Sequence, residues 1–566
     1  MAWYDEAVFY HIYPLGLSGA PKQNEYKEPV HRLKDMKVWI DHIKETGFNA
    51  IYIGPLFESV GHGYETTDYK KLDSRLGDNE DLKDFVKTCH EKGIRVIFDG
   101  VFNHTGRDFF AFKDIQQNRE NSRYKDWYCN VNFWGNNEYN DGFTYENWGG
   151  YNLLAKLNQH NPEVRNYICD VIRFWVSEFD VDGIRLDAAD VLDFEYMKVL
   201  RQVANEVKPD FWLMGEVIHG DYSRWANEST LHSVTNYQLH KALYSGHNDH
   251  NYFEIAHTVK HLNGMGSLKL YNFSDNHDVE RIYTKLNNKK HFAPVHILVY
   301  TLPGVPSVYY GSEFGIEGKK ERWSDDSLRP ELHLEDFKDA LEKNPCTSLI
   351  ARLGEIRQNE KALSYGDYRE LCLTNRQYAF SRNYNGESLI VTVNNDDSDY
   401  VMTLPAGNAK EYIGLLSGEK ISVSGGNIVV NVRANNGDIW APYTGQEVKA
   451  ERVGEEQNTV EEKQVTPAEK DVLEKTERVL AEEVSEITGL ASAEEDVVEE
   501  VVVDEPAELS QEDAVYKEAF EKGRIAGLQE AILARMERNG YVTDQMRNDV
   551  YNQTDIQSLI NWVKSF

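Results

Sequence analysis

Four short apolar runs in this chain end in acids, each beside a histidine, an arginine or another acid's neighbourhood. "VIFDGVFNH" closes on Asp99, with Asn103 and His104 just beyond it, and "GIRLDAAD" supplies Arg185 and Asp187. "FWLMGE" ends in Glu216, and "YNFSDNHD" carries His277 and Asp278. Carboxyl groups held at different protonation states are the means of general acid–base work, so convergence of these four acids would make a catalytic site. The Arg–Asp spacing is informative. In a strand, alternate side chains share a face, so Arg185 and Asp187 point one way while Ile184 and Leu186 point the other. A buried ion pair is weak evidence for stability, whereas at a strand end it can be a carboxylate held by its neighbour. Singly, each group has a plain structural explanation, such as an Asp that caps the next helix. No HExxH run claims them for a metal.

The elements that must position these residues are legible as well. Strand candidates fall at Val8–Tyr13, Ala50–Ile53, Ile94–Asp99, Gly183–Asp187, Phe211–Glu216, Ser233–Asn236, Leu270–Phe273 and Pro306–Tyr310. Helix-length amphipathic stretches separate most of them, including Val30–Thr46, Asp81–Lys92, Pro162–Phe179 and His291–Leu302, with Gly47, Gly93 and Pro162 as punctuation. Eight strands alternating with helices predict an α/β fold, a (β/α)8 barrel over residues 1–103 and 159–350. The rival is a doubly wound open sheet, which the lack of a GxGxxG after the first strand disfavours. In a barrel, the ends of the strands share one rim, so the acids would meet there. Residues 104–158, rich in Asn, Tyr and Trp, are too long for a simple loop and read as an inserted domain. Residues 355–443 change to short alternating strands with Asn-Gly and Gly-Gly turns, the pattern of a small β-sandwich.

Composition narrows the function classes. At 566 residues the chain exceeds one hydrophobic core. It has no apolar run of about 18 residues that would span a membrane. The net charge of −33 disfavours nucleic acid and anionic membranes as partners. Between Glu447 and Asp513 lie 23 acidic and 6 basic residues, so that stretch alone holds −17 of the total. Residues 444–510 therefore read as an acidic, disordered or loosely helical linker. Beyond it, 511–566 should form two helices, with Phe520, Leu528, Ile532 and Met536 on one apolar face and Ile556, Leu559, Ile560 and Val563 on another. Such a module suits a protein partner or self-association. Five scattered cysteines without a CxxC, and an N-terminus without signal-peptide features, point to the cytoplasm.

In order and spacing, "DGVFNH", "GIRLDAAD", "GEV" and "FSDNHD" resemble the four short motifs of the α-amylase family of glycoside hydrolases, and "GYETTDY" (63–69) resembles that family's loop after strand two. The resemblance covers residues 3–443 and implies a retaining enzyme acting on α-glucans. It makes Asp187 the nucleophile, Glu216 the acid/base and Asp278 the third acid. It assigns substrate contacts to Tyr64, His104 and His277, and to Arg329 with Asp325 or Asp326. Arg185, with Asp99 on the same rim, would keep Asp187 charged, while Glu216 should sit in drier and less cationic surroundings.

"YENWGGYN", "LLAKLN" (153–158) and "GEVIHGDYSRW" are similar to the neopullulanase, cyclomaltodextrinase and maltogenic amylase group, which makes Lys156 and His219 contacts beyond the cleavage position. Ala155 stands where that group has a proline, and the chain opens at the first barrel strand, so that group's N-terminal domain is not expected. No cofactor is required on this reading. The histidine that would join Asn103 in a calcium site is replaced at "DAADV", so obligatory calcium is not expected. The expected activity is hydrolysis of α-1,4 links in maltooligosaccharides. The alternatives are cyclomaltodextrinase or neopullulanase action, α-glucosidase or 4-α-glucanotransferase action from the same site, and a non-catalytic sugar-binding member.

Overall fold

The computed structural model describes residues 2–443 and 445, except 267 and 323. Eight parallel strands run in chain order: β1 Phe9–Ile12, β2 Ala50–Ile53, β3 Arg95–Gly100, β4 Gly183–Leu186, β5 Trp212–Gly215, β6 Ser233–Val234, β7 Tyr271–Phe273 and β8 Val305–Tyr309. Each pairs with its sequence neighbour, and β1 also pairs with β8. A parallel bridge between Thr235 and Tyr271 joins β6 to β7 and closes the ring. The sheet is therefore a barrel, and the open-sheet alternative is excluded.

Alternation along the strands sorts side chains between two cores. Phe9, Tyr52, Ile97, Trp212, Met214, Tyr271 and Phe273 form a cluster that fills the barrel. Their neighbours Tyr10, Ile51, Ile53, Phe98, Ile184, Leu186 and Leu213 join the surrounding cluster under the helices. Trp3 and Tyr4, in a short 3-10 turn, plug the barrel floor against Trp212, with ring centroids 6.2 and 5.7 Å away. The inward parity set by Ile97 and Met214 carries on to Asp99 and Glu216 at the opposite end.

The helices follow their capping signals. Helix Pro162–Phe179 starts at Asn161, whose side chain accepts from the Glu163 amide (2.8 Å), and ends at Asp180. The stretch expected as one helix over Val30–Thr46 is two, Arg32–Asp35 and Val38–Glu45. The amides of Val30 and Leu33 are bonded to the carbonyls of Ser74 and Leu76, which ties the start of this stretch to another loop, and the helix is interrupted at Met36–Lys37.

After β3 the chain builds a small antiparallel sheet from His104–Gly106, Tyr151–Lys156 and Asn147–Trp148, with a helix at Phe110–Asn118. C-terminal to the barrel, a six-stranded antiparallel sheet faces a two-stranded one across a core that includes Ala379, Ile390, Met402, Ile428, Val430 and Trp440. The acidic segment 444–510, apart from Gly445, and the helices expected in 511–566 lie outside the described residues.

Candidate active site

Strand register places the reacting acids. Asp99 on β3 lies directly opposite Arg185 on β4, and Arg185 lies opposite Met214 on β5. The ladder continues past the strand ends, with Asp187 N on Gly100 O (3.1 Å) and Glu216 N on Leu186 O (2.9 Å). Asp187 and Glu216 therefore stand side by side on the rim. Ala188 then takes a left-handed conformation (φ 46°, ψ 44°), which costs a non-glycine residue about 1–2 kcal/mol. That turn aims the Ala188 amide at Glu216 Oε2 (3.1 Å), so the strain is spent on positioning the acid.

Arg185 is the hub. Its Nη1 holds Asp99 Oδ1 (2.9 Å) and Asp187 Oδ1 (2.8 Å), and its Nη2 holds Glu216 Oε2 (2.8 Å). This corrects the expectation that Glu216 has less cationic surroundings: Glu216 and Asp187 share one guanidinium, because Arg185 stands on Asp187's own strand beside the strand that carries Glu216. Three buried carboxyls on one cation leave an excess of negative charge in a dry setting, which is costly when all are ionised. Burial raises Asp187 well above the usual carboxylate range, Arg185 opposes this, and Glu216 and Asp99 add to the rise. Burial likewise raises Glu216, against Arg185, with Asp278 reinforcing it. The pair titrates as a unit that retains a proton into a higher pH range than a free carboxyl would. Tyr237 Oη donates to Glu216 Oε1 at 3.4 Å and accepts from Asn276 Nδ2 at 3.0 Å.

The rim beyond this pair is polar and aromatic. Asp278 is held by Arg329 Nη2 (2.8 Å) and His277 Nε2 (3.1 Å). Arg329 also reaches Asp325 (3.1 Å). Tyr64 Oη bridges Asp99 Oδ2 (3.2 Å) and His277 Nε2, and the Tyr64 and His277 rings stack with centroids 5.7 Å apart. Burial lowers the His104 pKa to about 3 and takes His277 well below its ordinary value, so both rings are neutral near pH 7. His104 Nε2 has no hydrogen-bond partner within the protein. A neutral imidazole there suits a hydroxyl ligand.

These groups line a cleft of about 330 Å³ that includes Tyr64, His104, Asp187, Glu216, Asp278, Asp325 and Arg329. Asp99 and Arg185 form the layer behind it. Four expected contacts lie outside the lining, the first of them His277, which is buried behind Tyr64 and Asp278. Asp326 pairs with Lys22 at the surface, and Lys156 is turned away to Glu146. His219 is exposed on the loop after β5. The cleft also takes His62, which no motif covers, and Trp148, Leu154, Asp190 and Ile218, which lie within quoted motifs but were given no role there. Trp148 and Leu154 come from the inserted sheet, and only the folding of that insert over the rim reveals them.

At the junction of insert and barrel, Asn103 is held within the protein. Asn103 Oδ1 accepts from Gln159 Nε2 (3.0 Å), and Gln159 Oε1 accepts from Asp193 N (2.6 Å). Calcium needs six to eight oxygen ligands, while Asn103 is engaged by an amide donor and Val191 offers no side-chain oxygen. Among the described residues one cluster has metal-ligand spacing, His31, Asp78 and Asp81, at the start of helix Asn79–Glu91 and outside the cleft lining.

Comparison with known proteins gives two family matches: "Alpha amylase, catalytic domain" over residues 33–346, and "Alpha-amylase C-terminal domain" over 366–440. A cyclomaltodextrinase of Thermoanaerobacter pseudethanolicus is 31% identical over 444 residues, 73% of this chain and 74% of its own. Neopullulanase 2 of Thermoactinomyces vulgaris is 29% identical, across 77% of this chain and 78% of its own. Among solved structures, the debranching enzyme of Nostoc punctiforme is similar with a TM-score of 0.67 and 27% identity, covering 78% of this chain and 98% of that one.

Proposed function

This chain belongs to the α-amylase family of glycoside hydrolases, and on that footing we propose that it cleaves α-1,4-glucosidic bonds in maltooligosaccharides and related starch-derived glucans by double displacement with retention. The observation that carries the reading is the single Arg185 guanidinium gripping both Asp187 and Glu216 on the barrel rim. One cation shared by the two makes the carboxyls neighbours on the rim, the arrangement that supports a retaining pair, whose separation is about 5–5.5 Å.

Asp187 attacks the anomeric carbon while Glu216 gives its proton to the departing glycosidic oxygen. The C1–O bond breaks as the bond from C1 to Asp187 Oδ forms. Glu216, now ionised, takes a proton from water as the water displaces Asp187. Asp278, fixed by Arg329 and His277, accepts hydrogen bonds from ring hydroxyls and stabilises the positive charge that develops on the sugar. Tyr64 offers its ring face to the apolar face of the same sugar.

The relatives' names support a second reading, in which the same site opens cyclodextrins or hydrolyses pullulan. The five cysteines, all free, support a reducing compartment and hence a cytoplasmic setting. The experiment is a time-resolved product profile on maltoheptaose, β-cyclodextrin and pullulan, repeated after chelation and dialysis. Cleavage of maltoheptaose alone, undiminished without calcium, is the expected result. Rapid ring opening with panose from pullulan would favour the second reading. Activity restored only by calcium would overturn the assignment of an ion-independent junction.

A further inference from the structure

The inserted segment carries two kinds of aromatic side chain. Phe112, Trp127, Tyr128, Phe143 and Tyr145 are buried and pack against one another or against neighbouring rings, edge to face or tilted. Trp148 and Tyr151 do not. They are 37% and 66% exposed, and among the described residues neither packs on another ring or makes a side-chain hydrogen bond. They flank a two-residue turn, Gly149–Gly150, in which both residues have positive φ (64° and 83°). That geometry matches a tight hairpin turn that glycine adopts without strain.

Residues directly opposite each other across such a turn project to the same face, and Trp148 is the bridge partner of Tyr151. A Cβ on Gly149 would stand 3.3 Å from the Tyr151 ring, so one edge of the ring lies beside the turn while most of its surface is in solvent. Trp148 is part of the cleft lining. The two rings therefore sit on one face of the hairpin as separate apolar surfaces, Trp148 in the cleft wall and Tyr151 beyond it. Their exposure is not required by the core, since the insert's other rings supply that.

We propose that Trp148 and Tyr151 form a stacking platform for a glucose unit outside the cleavage position, so that this hairpin sets the enzyme's preference for longer α-glucan chains. The occupant follows from the chemistry: a pyranose presents an apolar C–H face to an aromatic ring and keeps its hydroxyls in water at the edge. A chain leaving the cleft over Trp148 meets Tyr151 next. This rests on the α-glucan reading above.

The test compares kcat/KM on maltotriose and maltoheptaose for the unmodified chain, Tyr151→Ala and Tyr151→Phe. With a stacking contribution of the usual size, Tyr151→Ala should lower the maltoheptaose-to-maltotriose ratio by about three- to tenfold, through KM on the longer substrate. Tyr151→Phe should keep the ratio, because the ring face and not the hydroxyl makes the contact. An unchanged ratio in Tyr151→Ala, alongside normal cleavage by the unmodified chain, overturns the platform and leaves the α-glucan reading standing. Failure of the unmodified chain to cleave either substrate overturns both.

Discussion

Asp187 and Glu216 are bound by one guanidinium and raised by the same burial, so pKa alone does not divide their roles. Their chemistry does. A general acid is needed only while the leaving group departs poorly, whereas a nucleophile is needed for any leaving group. Glu216→Gln should lose about 10²–10⁴-fold in kcat on maltooligosaccharides, yet form its glycosyl-enzyme readily from α-maltosyl fluoride. Asp187→Asn should be inactive on both. Burst kinetics with the fluoride checks this, and a burst in Asp187→Asn but not in Glu216→Gln would reverse the assignment. The pH profile follows the same logic: activity falls on the acid side as Asp187 is protonated and on the alkaline side as Glu216 loses its proton. Both limbs should sit above the range of free carboxyls. Asp187 and Glu216 were legible in the sequence because each directly follows a strand, and Asp278 because it lies in the loop after one. Trp148 and Ile218 were not, because their place in the cleft depends on how two loops fold over the rim. Asp326 misled for the same reason, since spacing within a loop does not say which of two adjacent acids turns inward.

At the scale of elements, the eight strands were legible because apolar runs and amphipathic stretches alternate with clear punctuation. The segment Val30–Thr46 was less so, since its first amides bond to a loop distant in sequence. One acid does for the elements what Arg185 does for the site. Asp182, just before β4, is buried and accepts from Val96 N at the start of β3 (2.9 Å). It also binds His90 Nε2 (2.7 Å), Arg95 (2.9 Å) and Lys208 (2.9 Å), the last beyond helix Phe194–Val207. Burial pushes its pKa up, but the hydrogen bonds from His90, Val96 and Lys208 win, and the carboxyl is held at about 2 against an ordinary 3.8. A depressed pKa stabilises the fold above the unfolded value and loses that contribution as pH falls through the folded one. The shift amounts to about 2 kcal/mol at pH 7, shrinking to roughly half near pH 3. Asp182→Asn should therefore lower stability by at least that amount at pH 7, with the gap to the unmodified chain narrowing as the solution is acidified. Urea midpoints at pH 7 and pH 3 measure it. A gap independent of pH would mean that shape, not charge, is what Asp182 contributes.

For the described molecule as a whole, the barrel and the β-sandwich stand or fall together. Helix Phe292–Thr301 of the barrel ends with carbonyls that its own turns leave unbonded. Arg357 donates to Tyr300 O (2.9 Å) and Gly304 O (2.7 Å), and Arg382, from the sandwich strand Gln377–Tyr384, reaches Thr301 O and Gly366 O (2.9 Å). Burial lowers these guanidinium pKa values to about 9 and about 10, which leaves both cationic at neutral pH and opposite the negative end of the helix. Packing enforces the same join. A Cβ on Gly437 would lie 2.3 Å from Thr392 O on the adjacent strand and 3.1 Å from Ile297 Cδ1 on that helix. The Thr392 carbonyl is main chain within a ladder and cannot swing aside. Gly437→Ala should thus distort the sandwich sheet where it meets this helix and cost about 1–3 kcal/mol, the usual penalty of overpacking. Since no residue of the cleft lining comes from the sandwich, kcat per folded molecule at 25 °C should stay the same while the urea midpoint falls. A drop in kcat at full folding would instead mean that the sandwich shapes the cleft through this helix, and that its place against the barrel serves catalysis as well as stability.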